Sequence, residues 1–129
     1  MSSPKFLSVD EVREIHRDAI AQFGGTLGIR DEGTLIAAVF HPQNVWHYGH
    51  GDVFEIAAAY AYHIAEAQVF LDGNKRAAIG AALTFLEGNG ISTRTDSAPL
   101  YQAMIDIAEK RMVRIDLAEL FRRLFQKQK

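Results

Sequence analysis

Between Gln68 and Arg76 the chain reads QVFLDGNKR, placing an acid, a glycine, an amide and two cations at Asp72, Gly73, Asn74, Lys75 and Arg76. That order suits a phosphorylated ligand. If the stretch lies where one helix stops and another begins, Gly73, Asn74 and Lys75 present free backbone N–H groups at a helix N-terminus, which attracts anions. Gly73 lets the backbone turn and approach a ligand closely, Asn74 can fix the loop through side-chain hydrogen bonds, and Lys75 and Arg76 carry charge suited to phosphate oxygens. Asp72 cannot be a further phosphate binder. A carboxylate beside a polyphosphate cradle is the usual way to hold Mg²⁺, so the five residues together read as a magnesium nucleotide site. The same letters also fit a plain helix–turn–helix connection, with Asp72-Gly73 as the turn and both cations in solvent.

The elements that must position this stretch are helical by periodicity, and alternating strand patterns are nearly absent. Ser8 followed by Glu11 reads as a capping box for a first helix, with Val9, Val12, Ile15, Ala19, Ile20 and Phe23 on its apolar face and Gly24-Gly25 ending it. Residues Glu32 to Phe40 read as a short second helix that Pro42 stops. Residues 41–52, HPQNVWHYGHGD, carry neither period and predict an ordered aromatic loop or a small hairpin. Val53 to about Ala67 is alanine-rich and apolar around most of its circumference, as the central helix of a bundle would be. After the motif, Lys75 to Glu87 forms another helix, ended by Gly88-Asn89-Gly90. Two more follow, about Pro99 to Lys110 with Ser97 near its cap, and about Leu117 to Lys127 capped by Asp116 with Glu119 three residues on. The expectation is an all-α bundle of about six helices, with residues 1–129 forming one domain.

Composition narrows the function classes. At 129 residues and 48% apolar, the chain can bury a real core. Sixteen acidic against fourteen basic residues give a net charge of -2, which offers no global case for nucleic-acid binding, and no concentrated basic recognition helix is evident. The absence of cysteine excludes disulfides, thiolate metal sites and a cysteine nucleophile. The N-terminus lacks a signal-peptide core, and the run from Ile56 to Leu71 is interrupted by His63, Glu66 and Gln68 and is too short to span a bilayer. A cytoplasmic protein with no membrane partner is expected.

The segment FLDGNKR from Phe70 to Arg76 resembles the signature of the Fic/Doc superfamily, H-x-F-x-D/E-G-N-x-R, and the lysine before the arginine is similar to the Doc branch. GGTLGIRDEGTLIAAVFHPQN resembles the Doc-type upstream block, LTFLEGNGI is similar to the helix after the motif, and DLAELFRRLF resembles the last helix. The resemblance implies a compact helical toxin from a toxin–antitoxin pair, with ATP and Mg²⁺ as cofactors. Doc-type members transfer the γ-phosphate of ATP to a hydroxyl on elongation factor Tu, whereas typical Fic members transfer AMP. Lys75 and Ile79, where typical Fic proteins have a second glycine and a further arginine, favour the phosphate outcome. By position, Asp72 would hold Mg²⁺, Gly73 and Asn74 would line the anion cradle, Lys75 and Arg76 would neutralise charge on the transferred group, and Phe70 would anchor the loop.

The departure from the signature is Gln68, which stands where the family has its catalytic histidine. That histidine takes the proton from the attacking hydroxyl, a task for a group titrating near neutrality. Glutamine does not titrate there. General-base assistance contributes about 10²–10⁴-fold, so transfer should be slow, although the loop should still form and bind nucleotide. His63 lies five residues back, about 500° around a helix, and faces away. Gln68 is either an engineered change that makes a toxic enzyme producible or a natural one; the intact remainder of the motif favours the first. A catalytically dead module that binds nucleotide or an antitoxin is the alternative class.

Other candidates are weaker. His41, His47, His50 and His63 lack metal-ligand spacing. His16 reads as a partly buried residue at the edge of the first helix's apolar face. By resemblance, Trp46 and Tyr48 fall in the region that forms a target-docking flap in Fic proteins, or else they pack over the bundle. Arg30 and Asp31 read as structural, capping the second helix. Doc-type antitoxins cover the toxin with a tail that folds on binding, and Arg111, Arg114, Arg122, Arg123, Lys127 and Lys129 either meet such a tail or are solvated.

Overall fold

The structure, a computed structural model, describes residues 3–94 and 98–126. Six helices follow in order: α1 Val9–Phe23, α2 Glu32–His47, α3 Val53–Ala67, α4 Asn74–Gly88, α5 Ala98–Ala108 and α6 Arg114–Phe125. The architecture is all-α. Among the described residues the only extended pairing is an isolated antiparallel bridge between Ile29 and Phe70.

The sequence places α3 at the centre because it can be buried on nearly every side. Ile56, Ala57, Ala58, Ala59, Tyr60, Ala61 and Ile64 are all fully buried. Small alanines let α2, α4, α5 and α6 approach closely, and the larger Tyr60, Phe85, Leu86, Met104, Leu117 and Phe121 fill the space between them. The Tyr60 hydroxyl, carried deep into this core, accepts the Leu7 N–H at 2.9 Å. The Ser8 and Glu11 capping box holds α1 as the sequence suggests, and Asp52 with Glu55 forms another at the start of α3. No helix among the described residues is long and apolar enough to cross a membrane.

The structure corrects three expectations. First, α2 does not stop before Pro42 but runs through it to His47, so residues 41–52 form neither an aromatic loop nor a hairpin. Proline in a helix interior costs about 3 kcal/mol, but Val39, Pro42 and Val45 are buried along one face, and each valine alone contributes about 1.5–3 kcal/mol. Packing outweighs the lost hydrogen bond. Second, α6 begins at Arg114, and Asp116 sits inside its first turn, where Oδ2 accepts the Val113 N–H at 3.3 Å. Third, α4 begins at Asn74, with Gly73 as its cap. The proposed Ser97 cap, and Lys127 and Lys129, lie outside the described residues.

Candidate functional site

The motif occupies the junction between α3 and α4, and its first residue turns the chain. Gln68 caps α3 in the left-handed conformation, φ 49° and ψ 60°, which sends Val69 and Phe70 inward to full burial. Its own side chain is exposed. Two backbone bonds then pin the loop against the segment after α1: Arg30 N–H to Val69 C=O at 2.9 Å, and Leu71 N–H to Gly28 C=O at 3.0 Å.

Asn74 closes the loop on itself. Its Oδ1 accepts the Phe70 N–H at 2.8 Å while its Nδ2 donates to the Phe70 C=O at 2.9 Å, so one amide satisfies both polar groups of a residue four positions back. Gly73 makes this compact path possible. Its φ is 75°, and a Cβ there would meet Ile20 Cδ1 at 3.0 Å.

The carboxylate of Asp72 is held from two sides. Oδ1 accepts the Gly73 N–H at 2.9 Å, and Oδ2 accepts the Thr26 N–H at 3.1 Å. Thr26 reaches it because Gly25 has no side chain: a Cβ on Gly25 would lie 2.8 Å from Oδ2. Behind the loop, buried His16 stacks its ring on Phe70, with centroids 3.7 Å apart and planes 3° from parallel. Its Nε2 donates to the Asp72 C=O at 2.8 Å, an atom that can only accept.

A cavity of about 180 Å³ opens in front of the loop, lined by Phe23, Gly24, Asp72, Gly73, Asn74, Lys75, Arg76 and Tyr101 among others. Gly73 provides no side-chain cap and Ala77 N–H is the first to bond back, to Gly73 C=O at 3.0 Å, so the first-turn N–H groups of α4 remain available at the cavity wall. The Arg76 guanidinium lies 3.5 Å over the Phe23 ring and 5.0 Å from that of Tyr101. A neighbouring cavity of about 400 Å³ between α1, α4 and α5 shares Phe23, Arg76 and Tyr101 as walls.

Asp72, Gly73, Asn74, Lys75 and Arg76 are therefore gathered on one concave surface, and Gln68 is exposed at the end of α3. Trp46 and Tyr48 are not brought there. They lie at the end of α2 that leads into the start of α3, and the motif lies at the other end of α3, whose 15 residues span about 22 Å. Besides α1, the chain segment that meets the motif loop is Gly25 to Arg30.

His63 also turns elsewhere. Its ring makes an edge contact with His41, centroids 4.0 Å apart, in a cavity of about 280 Å³ that Arg114 also lines. Burial pushes His63 down to about 4, and the neighbouring His41 and Arg114 add to the effect. His41 is lowered by burial and by Arg114. No three histidine or carboxylate side chains cluster as metal ligands among the described residues.

Sequence reasoning missed His16, Gly25 and Thr26 as parts of the site. The signal available was the glycine group at Gly24, Gly25 and Gly28, which reads as a helix stop but also marks a place of close backbone approach.

The Fic/DOC family profile matches residues 6–86. The chain is 31% identical over 122 residues to protein kinase doc of Escherichia phage P1, covering 94% of this chain and 96% of that one. It is 43% identical over 77 residues to toxin Doc of Mycolicibacterium smegmatis, covering 57% of this chain and 58% of that one. With the motif loop built as described and a match across most of its length, the chain belongs to the Fic/DOC family.

Proposed function

We propose that this chain has the site of a Doc-type toxin, an ATP-dependent phosphotransferase acting on a protein hydroxyl, and that Gln68 impairs its catalysis. The observation that carries the reading is the convergence of Asp72, the open N-terminus of α4, Lys75 and Arg76 on one cavity. The relative matched along nearly its whole length is named a protein kinase, and family membership implies use of a nucleotide.

Asp72 suits Mg²⁺. It is exposed, each of its oxygens accepts one backbone N–H and keeps a further lone pair, and a single carboxylate together with substrate phosphates is the usual Mg²⁺ environment. When bound, the ion offsets charge on the phosphates. The chain's own groups do the rest: the α4 N–H groups hold phosphate oxygens, and Lys75 and Arg76 stabilise charge growing on the transferred phosphoryl group. Arg76 is aimed by Phe23 and Tyr101. Lys75, with Ile79 one turn on, favours phosphate over AMP transfer by resemblance to the Doc branch. Gln68 cannot take the hydroxyl proton, so this form is a nucleotide binder with slow transfer.

By the same resemblance the target is a translation factor, elongation factor Tu, and a cognate antitoxin is the regulatory partner. Calorimetry with ATP tests the cradle. Saturable binding that requires Mg²⁺ and is lost in Asp72→Ala is expected, and no binding by the intact chain would refute the reading.

A further inference from the structure

We propose that His16 is a positioning residue that locks the Asp72–Gly73 peptide plane and through it aims the Asp72 carboxylate. The proposal rests on the Mg²⁺-nucleotide reading above for its consequence, but not for its geometry.

A peptide unit is rigid and planar, so the Asp72 C=O and the Gly73 N–H move together. His16 Nε2 donates to that C=O at 2.8 Å. The N–H at the opposite edge of the same plane donates to Asp72 Oδ1 at 2.9 Å. One imidazole hydrogen bond therefore fixes the donor that orients the carboxylate. Glycine at position 73 makes the lock necessary: without a Cβ it passes readily between φ regions, and the Asp72–Gly73 plane could flip at little cost. A flip would withdraw the Gly73 N–H from Oδ1 and leave only Thr26 holding the carboxylate, at 3.1 Å.

The imidazole is itself immobilised. It is 3% exposed and stacked on Phe70, whose backbone is clamped by Asn74. Its function is orientation.

The test compares the intact chain with His16→Phe, which keeps a stacking ring and removes the donor, and His16→Gln, whose Nε2 can reach the same carbonyl. In nucleotide-free protein, His16→Phe should raise the exchange rates of the Gly73 and Thr26 amides about tenfold, with core amides unchanged. Calorimetry with ATP should then require about tenfold more Mg²⁺ in His16→Phe, and His16→Gln should recover most of both losses. Unchanged Gly73 and Thr26 exchange in a folded His16→Phe would overturn the proposal.

If His16→Phe does not fold, the intact chain still decides the matter by NMR. A slowly exchanging Nε2–H signal from His16 is expected, and a ring protonated on Nδ1 alone contradicts the lock. Failure of the intact chain to bind Mg²⁺-ATP would count against the functional reading, while the amide exchange would still report on His16.

Discussion

At the scale of single residues, the motif loop depends on a few side chains that each satisfy two groups. Asn74→Ala removes both bonds to Phe70, and at about 0.5–1.5 kcal/mol each, a loss of about 1–3 kcal/mol is expected in denaturant unfolding, together with loss of ATP binding. Gly25→Ala should act differently. Its φ of 119° and the 2.8 Å approach to Asp72 Oδ2 mean a methyl group displaces the carboxylate, so the Mg²⁺ requirement should rise more than stability falls, which paired calorimetry and thermal melts would separate. Like His41, which burial and Arg114 also lower, His63 contributes to the pH dependence. Its folded value of about 4 lies below its ordinary 6.5, so the fold favours the neutral ring; the stability this provides is present above 6.5 and is lost as pH falls from there toward 4. The melting temperature should drop across that window, and His63→Phe should flatten the drop. The local groups of the site were legible because Asp72 to Arg76 are adjacent in sequence. His16 and Thr26 were not, since they reach Asp72 from 56 and 46 positions away and only the folded α1 segment brings them there.

At the scale of elements, the ends of α3 set the geometry. Its C-terminus is capped by Gln68 at φ 49°, a region that costs most side chains about 1 kcal/mol and glycine nothing. Gln68→Gly should therefore raise stability by about 0.5–1 kcal/mol, measured by denaturant unfolding, while leaving transfer slow. The N-terminus of α3 is tied to α6, where Arg122 donates through Nε and Nη2 to Asp52 Oδ2 at 3.0 and 2.9 Å and also pairs with Glu55 and Glu119. The helices were readable from capping boxes, glycine stops and apolar faces, all of which are local. Residues 41–47 were not, because Pro42 breaks helices by local rules, and only the burial of Val39, Pro42 and Val45 in the folded chain overrides that preference. Trp46 and Tyr48, set in a flap region by family resemblance, lie on and just after the last turn of α2, which leads into the start of α3.

At the scale of the whole molecule, a buried alanine-rich helix carries the motif at its end, and the surrounding helices bring chemistry to it. α1 supplies His16 and Phe23, α4 supplies the open N–H groups and both cations, and α5 supplies Tyr101. Close packing is required for this: a Cβ on Gly80 of α4 would meet Ile15 Cγ2 of α1 at 2.7 Å, so Gly80→Val should push these helices apart and weaken ATP binding without touching the motif. On the proposed reading, what the assembly lacks is a proton acceptor at position 68. The most direct measurement is mass analysis of elongation factor Tu after incubation with ATP, Mg²⁺ and Gln68→His, beside the unaltered chain. A phosphate adduct formed by Gln68→His at a rate about 10²–10⁴-fold above the unaltered chain is expected. No adduct, or a nucleotidyl adduct in its place, would contradict the proposed phosphotransfer.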